Sequence, residues 1–167
     1  MTKAPKKKSS HKRKVFEPFD YSPDDMPRIR FMVHVDIPAV IRLDRLCFGV
    51  DSWLEEDFKN VLHSQNVICL AATHMDHVLG YVIYELSKNR ITLLRLCVLP
   101  DHQRKNVGTR LMERLKEKLV IQGRKQLVMD VPDGHLPLQM FLKKLGFRAT
   151  NILKEDGNEH YRMCYTK

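Results

Sequence analysis

From residue 28 onward the apolar positions follow two periods, and turn residues mark each change of period. RIRFMVHV, 28–35, alternates apolar and polar side chains and predicts a strand. Over Ile37–Phe48 the apolar positions Val40, Ile41, Leu43 and Leu46 recur at helical spacing, with Asp36 in the cap position and Pro38 in the first turn. Ser52 and Glu55 have capping-box spacing and predict a second helix over 53–63. Three strand-like runs follow at 66–73, 78–87 and 90–98. The short turns HMDH and KN link them, which predicts an antiparallel meander. The segment 108–122 puts Leu111, Met112, Leu115 and Leu119 on one helical face and stops at Gly123. QLVMDV, 126–131, predicts a strand, and Leu136–Lys144 a short helix ended by Gly146. Two last strands, about 148–153 and 160–165, flank the turn EDGNE.

The predicted order is therefore β-α-α-β-β-β-α-β-α-β-β. It implies an α/β architecture of the α+β kind, a mixed and mostly antiparallel sheet with helices on both faces. The unit 90–131 should form a right-handed parallel crossover. Residues 28–167 are long enough for one domain with its own core.

Composition changes this picture little. Apolar residues make up 43% and charged residues 29%, as in an ordinary soluble domain. The longest apolar run, VICLAA at 67–72, is far short of a membrane span. The basic N-terminus lacks the apolar stretch of a secretory signal. Cys47, Cys69, Cys97 and Cys164 form no CxxC pair and sit among apolar neighbours, which reads as free thiols in a reducing, cytoplasmic setting. His74 and His77 flank a turn without further donors, so no metal site is expected.

Charge is more informative. The chain carries +9, and residues 3–14, KAPKKKSSHKRK, hold seven Lys or Arg and no acid; nine less seven leaves about +2 for the rest. Residues 1–14 thus read as a basic disordered tail, either a solvated arm or an electrostatic anchor for nucleic acid or the ribosome. Residues 15–27, with Pro18, Pro23 and Pro27 and four acids, read as a linker.

Candidate chemistry begins at VLPDHQRKNVGTRLM, 98–112, where a strand runs through a polar turn into a helix. The first N–H groups of a helix are unpaired and carry the positive end of its dipole, so a phosphate is favoured there. Arg104 and Lys105 add charge at the rim. Neither a Walker A loop nor a dinucleotide-binding GxGxxG is present. The residues alone leave two readings, a phosphate cradle or a plain helix start.

The segment QRKNVGT, Gln103 to Thr109, resembles the Q/R-x-x-G-x-G/A pyrophosphate loop of the GCN5-related N-acetyltransferase (GNAT) superfamily, and the strand order matches that fold. DIPAVIRLDRLCF, the W-x-E-x-x-F spacing of Trp53, Glu55 and Phe58, LCVLPDHQRKNVGTRLM and LKKLGF are similar to the subgroup that acetylates ribosomal-protein alanines. The resemblance covers nearly all of 28–167. It implies acetyl-CoA as cosubstrate, with backbone groups of Leu96, Cys97 and Val98 facing the pantetheine and acetyl carbonyl. Arg104, Lys105, Asn106, Val107, Gly108 and Thr109 would hold the pyrophosphate. Val98 N–H would stabilise the developing oxyanion, and Trp53 would wall the acceptor site.

Three positions depart from that pattern. Asn106 replaces the first loop glycine, and Asn tolerates φ > 0 better than other residues. Asp130 stands where the subgroup has a glutamate acting as base through water; it reads either as that base or as a cap for the following turn. A peptide α-amine has a pKa of about 7.7–8.0, so a modest base suffices, whereas a lysine near 10.4 would need about 3.5 kcal/mol more help. Leu142 occupies the position of the subgroup's acid, a tyrosine that protonates the leaving thiolate. His135, Tyr161 and Tyr84 are the candidates for a relocated acid; otherwise His135 is a helix cap and the tyrosines are strand residues. The reading is an N-acetyltransferase acting by direct attack in a ternary complex on a protein N-terminal α-amine. The alternatives are a small-amine acetyltransferase and a CoA-binding regulatory protein.

Overall fold

The computed structural model describes residues 26–155 and 157–167. The tail at 1–14 and nearly all of the 15–27 linker lie outside the described residues. The chain forms β1 (Arg28–Phe31), α1 (Ile37–Phe48), α2 (Glu55–His63), β2 (Val67–His74), β3 (His77–Leu86), β4 (Arg90–Val98), α3 (Val107–Ile121), β5 (Gln126–Pro132), α4 (Leu136–Lys144), β6 (Arg148–Glu155) and β7 (Asn158–Thr166). This is the predicted order. The strands form one 7-stranded sheet in the order β1-β2-β3-β4-β5-β7-β6. Among its pairings only β4 with β5 is parallel.

Local chemistry explains the turns that set the register. Met75 and Asp76 both take positive φ, 42° and 66°, between β2 and β3. Two left-handed residues make the two-residue hairpin whose twist matches its strands. At the starts of α1 and α2 the capping expected from the sequence fails. The Asp36 carboxylate is drawn to Arg30 and to the Val33 N–H, and it makes no cap bond to α1. Helix α2 begins two residues later than predicted. There Asp57 accepts the Leu54 N–H at 2.8 Å, and Ser52 is not the cap.

Each face of the sheet has its own core. On one face Leu111, Met112, Leu115 and Leu119 of α3 and Leu142 of α4 pack with Leu70, Val82, Ile91, Leu127 and Met163. On the other, Val40 and Leu43 of α1 and Phe58 of α2 pack with Cys69, Ala71, Tyr81 and Ile83. Each buried leucine contributes roughly 1.5–3 kcal/mol by leaving water. The expectation of four free thiols is corrected here. Where α1 crosses β4, Cys47 and Cys97 are bonded, with a Cα–Cα separation of 6.5 Å, while Cys69 and Cys164 are free. The two are 50 residues apart, so only tertiary packing brings them together.

Candidate active site

Two irregularities open the sheet at one point. β4 pairs with β5 only from Arg90 against Gln126 to Leu93 against Met129. At the same level the register of β3 and β4 slips between Ile83 and Tyr84 and leaves Leu94 as the extra residue of a bulge. Beyond it β4 stays with β3 as far as Val98 opposite Gly80, and β5 stays with β7 as far as Pro132 opposite His160. The strands part into a wedge, and each turns an unpaired edge toward it. Leu99 N–H donates to Leu79 O at 2.8 Å. Alternation along the strand therefore turns the N–H of Val98, and of Leu96 two residues earlier, toward the wedge. Gly80 is required opposite Val98, because a Cβ there would lie 2.8 Å from Cys97 O.

The N-terminus of α3 meets the mouth of this wedge. A Cβ on Gly108 would lie 3.2 Å from the Phe141 ring of α4 and 3.5 Å from the Val98 side chain. The loop leading there is left-handed at two positions, Arg104 with φ 60° and Asn106 with φ 63°. Asn106 thus takes the conformation its sequence predicted, while that of Arg104 had no signal in its residue type. The first bond of the helix runs from Arg110 N–H to Asn106 O, 3.0 Å. The N–H groups of Val107, Gly108 and Thr109 precede that bond, and no side chain caps this end. Such a nest, flanked by Arg104 and Lys105, suits an anionic group.

Asp130 follows Met129, the last β5 residue paired with β4. Directly across on β7 stands Arg162, whose Nε and Nη2 donate to the two carboxylate oxygens at 2.8 Å each. This ion pair holds the Arg162 guanidinium above its ordinary pKa. His135 and Tyr161 lie at the far lip, beside the end of β5. His135 Nδ1 accepts the Leu138 N–H at 3.3 Å and caps α4. Tyr161 is opposite Val131 and has Asp133 beside it, whose negative charge raises the phenol's pKa. Tyr161, with Gln139, Lys143 and Met163, lines a cleft of about 520 Å³ that His135 does not line. Tyr84 is corrected as an acid candidate. It is 2% exposed in the α3-side core, and burial pushes its hydroxyl up to about 12. Leu142, at 0% exposure, is core.

Trp53, expected to wall the acceptor site, packs between an aromatic ring and a guanidinium. Its ring centroid lies 5.4 Å from that of Phe58 and 4.9 Å from the Arg95 guanidinium. Arg95 and its partner Asp44 were missed in the sequence. The available signal was Arg95 inside the apolar run ITLLRLCV and an acid, Asp44, between two arginines in IRLDRLCF at helical spacing from Val40 and Ile41, since a buried charge requires a partner. Among the described residues no three His, Cys, Asp or Glu side chains gather as a metal site, and no helix is long and apolar enough to cross a membrane.

Comparison with known proteins bears on this geometry. The model of the acetyltransferase (GNAT) family matches residues 37–147. The chain is 24% identical over 127 residues to the [ribosomal protein bS18]-alanine N-acetyltransferase of Salmonella typhimurium, covering 76% of this chain and 84% of that protein. Its fold is similar to the crystal structure of the ribosomal-protein-S18-alanine N-acetyltransferase from Escherichia coli, with TM-score 0.76, 22% identity, and 84% and 94% of the two chains covered. It is also similar in fold to an aminoglycoside 6'-N-acetyltransferase complexed with coenzyme A, with TM-score 0.72, 17% identity, and 83% and 96% covered.

Proposed function

This chain belongs to the acetyltransferase (GNAT) family, and we propose that it transfers the acetyl group of acetyl-CoA to the α-amine of a protein N-terminus. One observation carries the reading: the wedge-facing N–H of Val98 and the uncapped N–H groups of α3 open onto the same space. The same observation is the test of fit. The open helix end suits the pyrophosphate, and Gly108 lets that end sit close against Phe141 and Val98.

Bound, acetyl-CoA would supply a thioester carbonyl and an anionic pyrophosphate. Val107, Gly108 and Thr109 would hold the anion through backbone N–H groups, with Arg104, Lys105 and Asn106 shaping the loop. The Leu96 to Val98 edge, Cys97 included, would line the acyl end, and Val98 N–H would face the carbonyl oxygen that gains charge. Asp130, oriented by Arg162, would take a proton from the acceptor amine through water. An α-amine near its own pKa asks little of that base. His135 and Tyr161 remain the candidates to return a proton to the leaving sulfur. Trp53 would border the acceptor side. The basic residues of 3–14 would add salt-sensitive attraction to an RNA-rich target such as a ribosome.

The test is calorimetric titration with acetyl-CoA, with dephospho-CoA and ATP as controls. Mass spectrometry would then follow acetylation of alanine-initiated peptides and of an aminoglycoside. Acetylated peptides support the reading, and acetylation of the aminoglycoside alone replaces it with a small-amine enzyme. Binding without turnover replaces it with a CoA-binding protein, and no binding at millimolar acetyl-CoA overturns it.

A further inference from the structure

We infer that Arg95 is a positioning residue: together with Asp44 it fixes the turn between α1 and α2 to the strand that forms one edge of the wedge. The position of that turn sets where an acceptor meets the Val98 edge. The inference rests on the turn being the acceptor wall, as proposed above.

The geometry is specific. Arg95 Nε and Nη2 donate to the two oxygens of Asp44 at 2.7 and 2.9 Å, and Nη2 also donates to Asp51 O at 2.8 Å. Asp44 in turn accepts the Trp53 N–H at 2.6 Å and the Tyr81 hydroxyl. The guanidinium lies 3.7 Å from the Phe48 ring centroid and 4.9 Å from that of Trp53. Residues 48–53 thus meet this ion pair through a backbone carbonyl, a backbone N–H and two rings, next to the Cys47–Cys97 bond that also ties the end of α1 to β4. The ion pair's other anchor is in β4, three residues before Val98.

Phe48 and Trp53 at the ends of this turn pack against the core, but its middle gains no burial, since Val50 is 99% exposed. The pair itself is buried, with Asp44 at 0% and Arg95 at 9%. An apolar pair of similar volume would stabilise a core as well or better, so what the ion pair adds here is direction. The planar guanidinium fork fixes several donors at once, which an ammonium does not reproduce.

The test uses the full chain and two variants. Arg95→Lys keeps a cation beside Asp44 and guards the fold. Asp44→Asn with Arg95→Gln removes both charges together and leaves no buried charge unpaired. Three quantities are measured: acetyl-CoA affinity, acrylamide quenching of Trp53, the chain's single tryptophan, and KM and kcat for an alanine-initiated peptide. In both variants acetyl-CoA affinity should hold and Trp53 quenching should rise. The peptide KM should increase by about tenfold or more as the acceptor wall shifts, and kcat should fall as well, since misplacing a positioned reactant costs rate. Arg95→Lys should be the milder variant. Unchanged quenching, an unchanged peptide KM, or equal losses in acetyl-CoA affinity and peptide KM would overturn the inference. If the wild-type protein binds acetyl-CoA but acetylates no peptide, the acceptor reading fails. The quenching result then decides by itself whether Arg95 holds the turn.

Discussion

Asp130 and Arg162 face each other across β5 and β7, and the guanidinium binds both carboxylate oxygens at 2.8 Å. The pair is about one-third exposed on both sides. Water therefore reaches a carboxylate whose orientation is already fixed, which suits a base acting through solvent better than one in direct contact.

The first prediction concerns that carboxylate. Asp130→Asn should lower kcat/KM for a peptide α-amine by about tenfold at pH 7, because roughly a tenth of an amine with a pKa of about 7.7–8.0 is already neutral there. An α-amine titrates at about 7.7–8.0, so above that range it loses its proton without help. The deficit should shrink toward pH 9. A pH–rate profile of wild type and variant checks this, and a deficit constant with pH would remove Asp130 from proton transfer.

The second prediction concerns the loop. Asn106 holds φ 63° at the entry to α3. Alanine in a left-handed conformation costs roughly 1–2 kcal/mol, a cost glycine does not bear. Asn106→Ala should therefore lower stability by about that amount in urea titration, and Asn106→Gly should lose much less. Acetyl-CoA affinity should fall further in Asn106→Ala, because the strain relaxes by moving the N–H groups that follow.

The residues that made the fold legible act locally. Helix α1, strand β4 and helix α4 end where periodicity and turn residues put them, and Asn106 was readable as a left-handed residue. What stayed hidden were choices between competing partners, some a few residues away and some distant in sequence. Asp36 had the position of a cap, yet Arg30 offered two charge-assisted bonds at 2.7 Å. Ser52 had cap spacing, yet the Asp57 carboxylate takes the Leu54 N–H, and an ionised acceptor outcompetes a hydroxyl. Arg95 and Asp44, 51 residues apart, meet only because α1 crosses β4, as do Cys47 and Cys97. The loop proposed to hold the cofactor is one continuous segment and could be recognised by its resemblance; the buried Arg95–Asp44 pair beside Trp53 joins separate segments and could not.

A third prediction tests the Asp36 pairing. Arg30 beside it holds the Asp36 carboxyl below its ordinary value, chiefly through their hydrogen bonds. A depressed folded pKa gives stability that is present above the unfolded value of about 3.9 and lost as pH falls through the folded one. Asp36→Asn should be roughly 1.5–3 kcal/mol less stable at pH 7, the range for hydrogen bonds to charged groups. The gap should close as pH drops below about 3.9. Urea titrations at several pH values read it directly, and a gap that persists in acid would assign Asp36 to packing alone.

The last prediction separates two glycines that line the same opening. A Cβ on Gly80 would meet the Cys97 carbonyl at 2.8 Å, an atom fixed in the sheet. A Cβ on Gly108 would meet the Phe141 ring at 3.2 Å, the end of a side chain that can rotate away. Gly80→Ala must therefore push β3 from β4, with an overpacking cost of about 1–3 kcal/mol. Gly108→Ala should fold with little loss. The order should reverse for ligand binding when the added side chain is large. Gly108→Leu places bulk beside the uncapped N–H groups of α3 and should abolish acetyl-CoA binding in calorimetry while the protein still unfolds cooperatively. If Gly108→Leu binds acetyl-CoA as wild type does, the helix end is not the cradle and the proposed cofactor site falls with it.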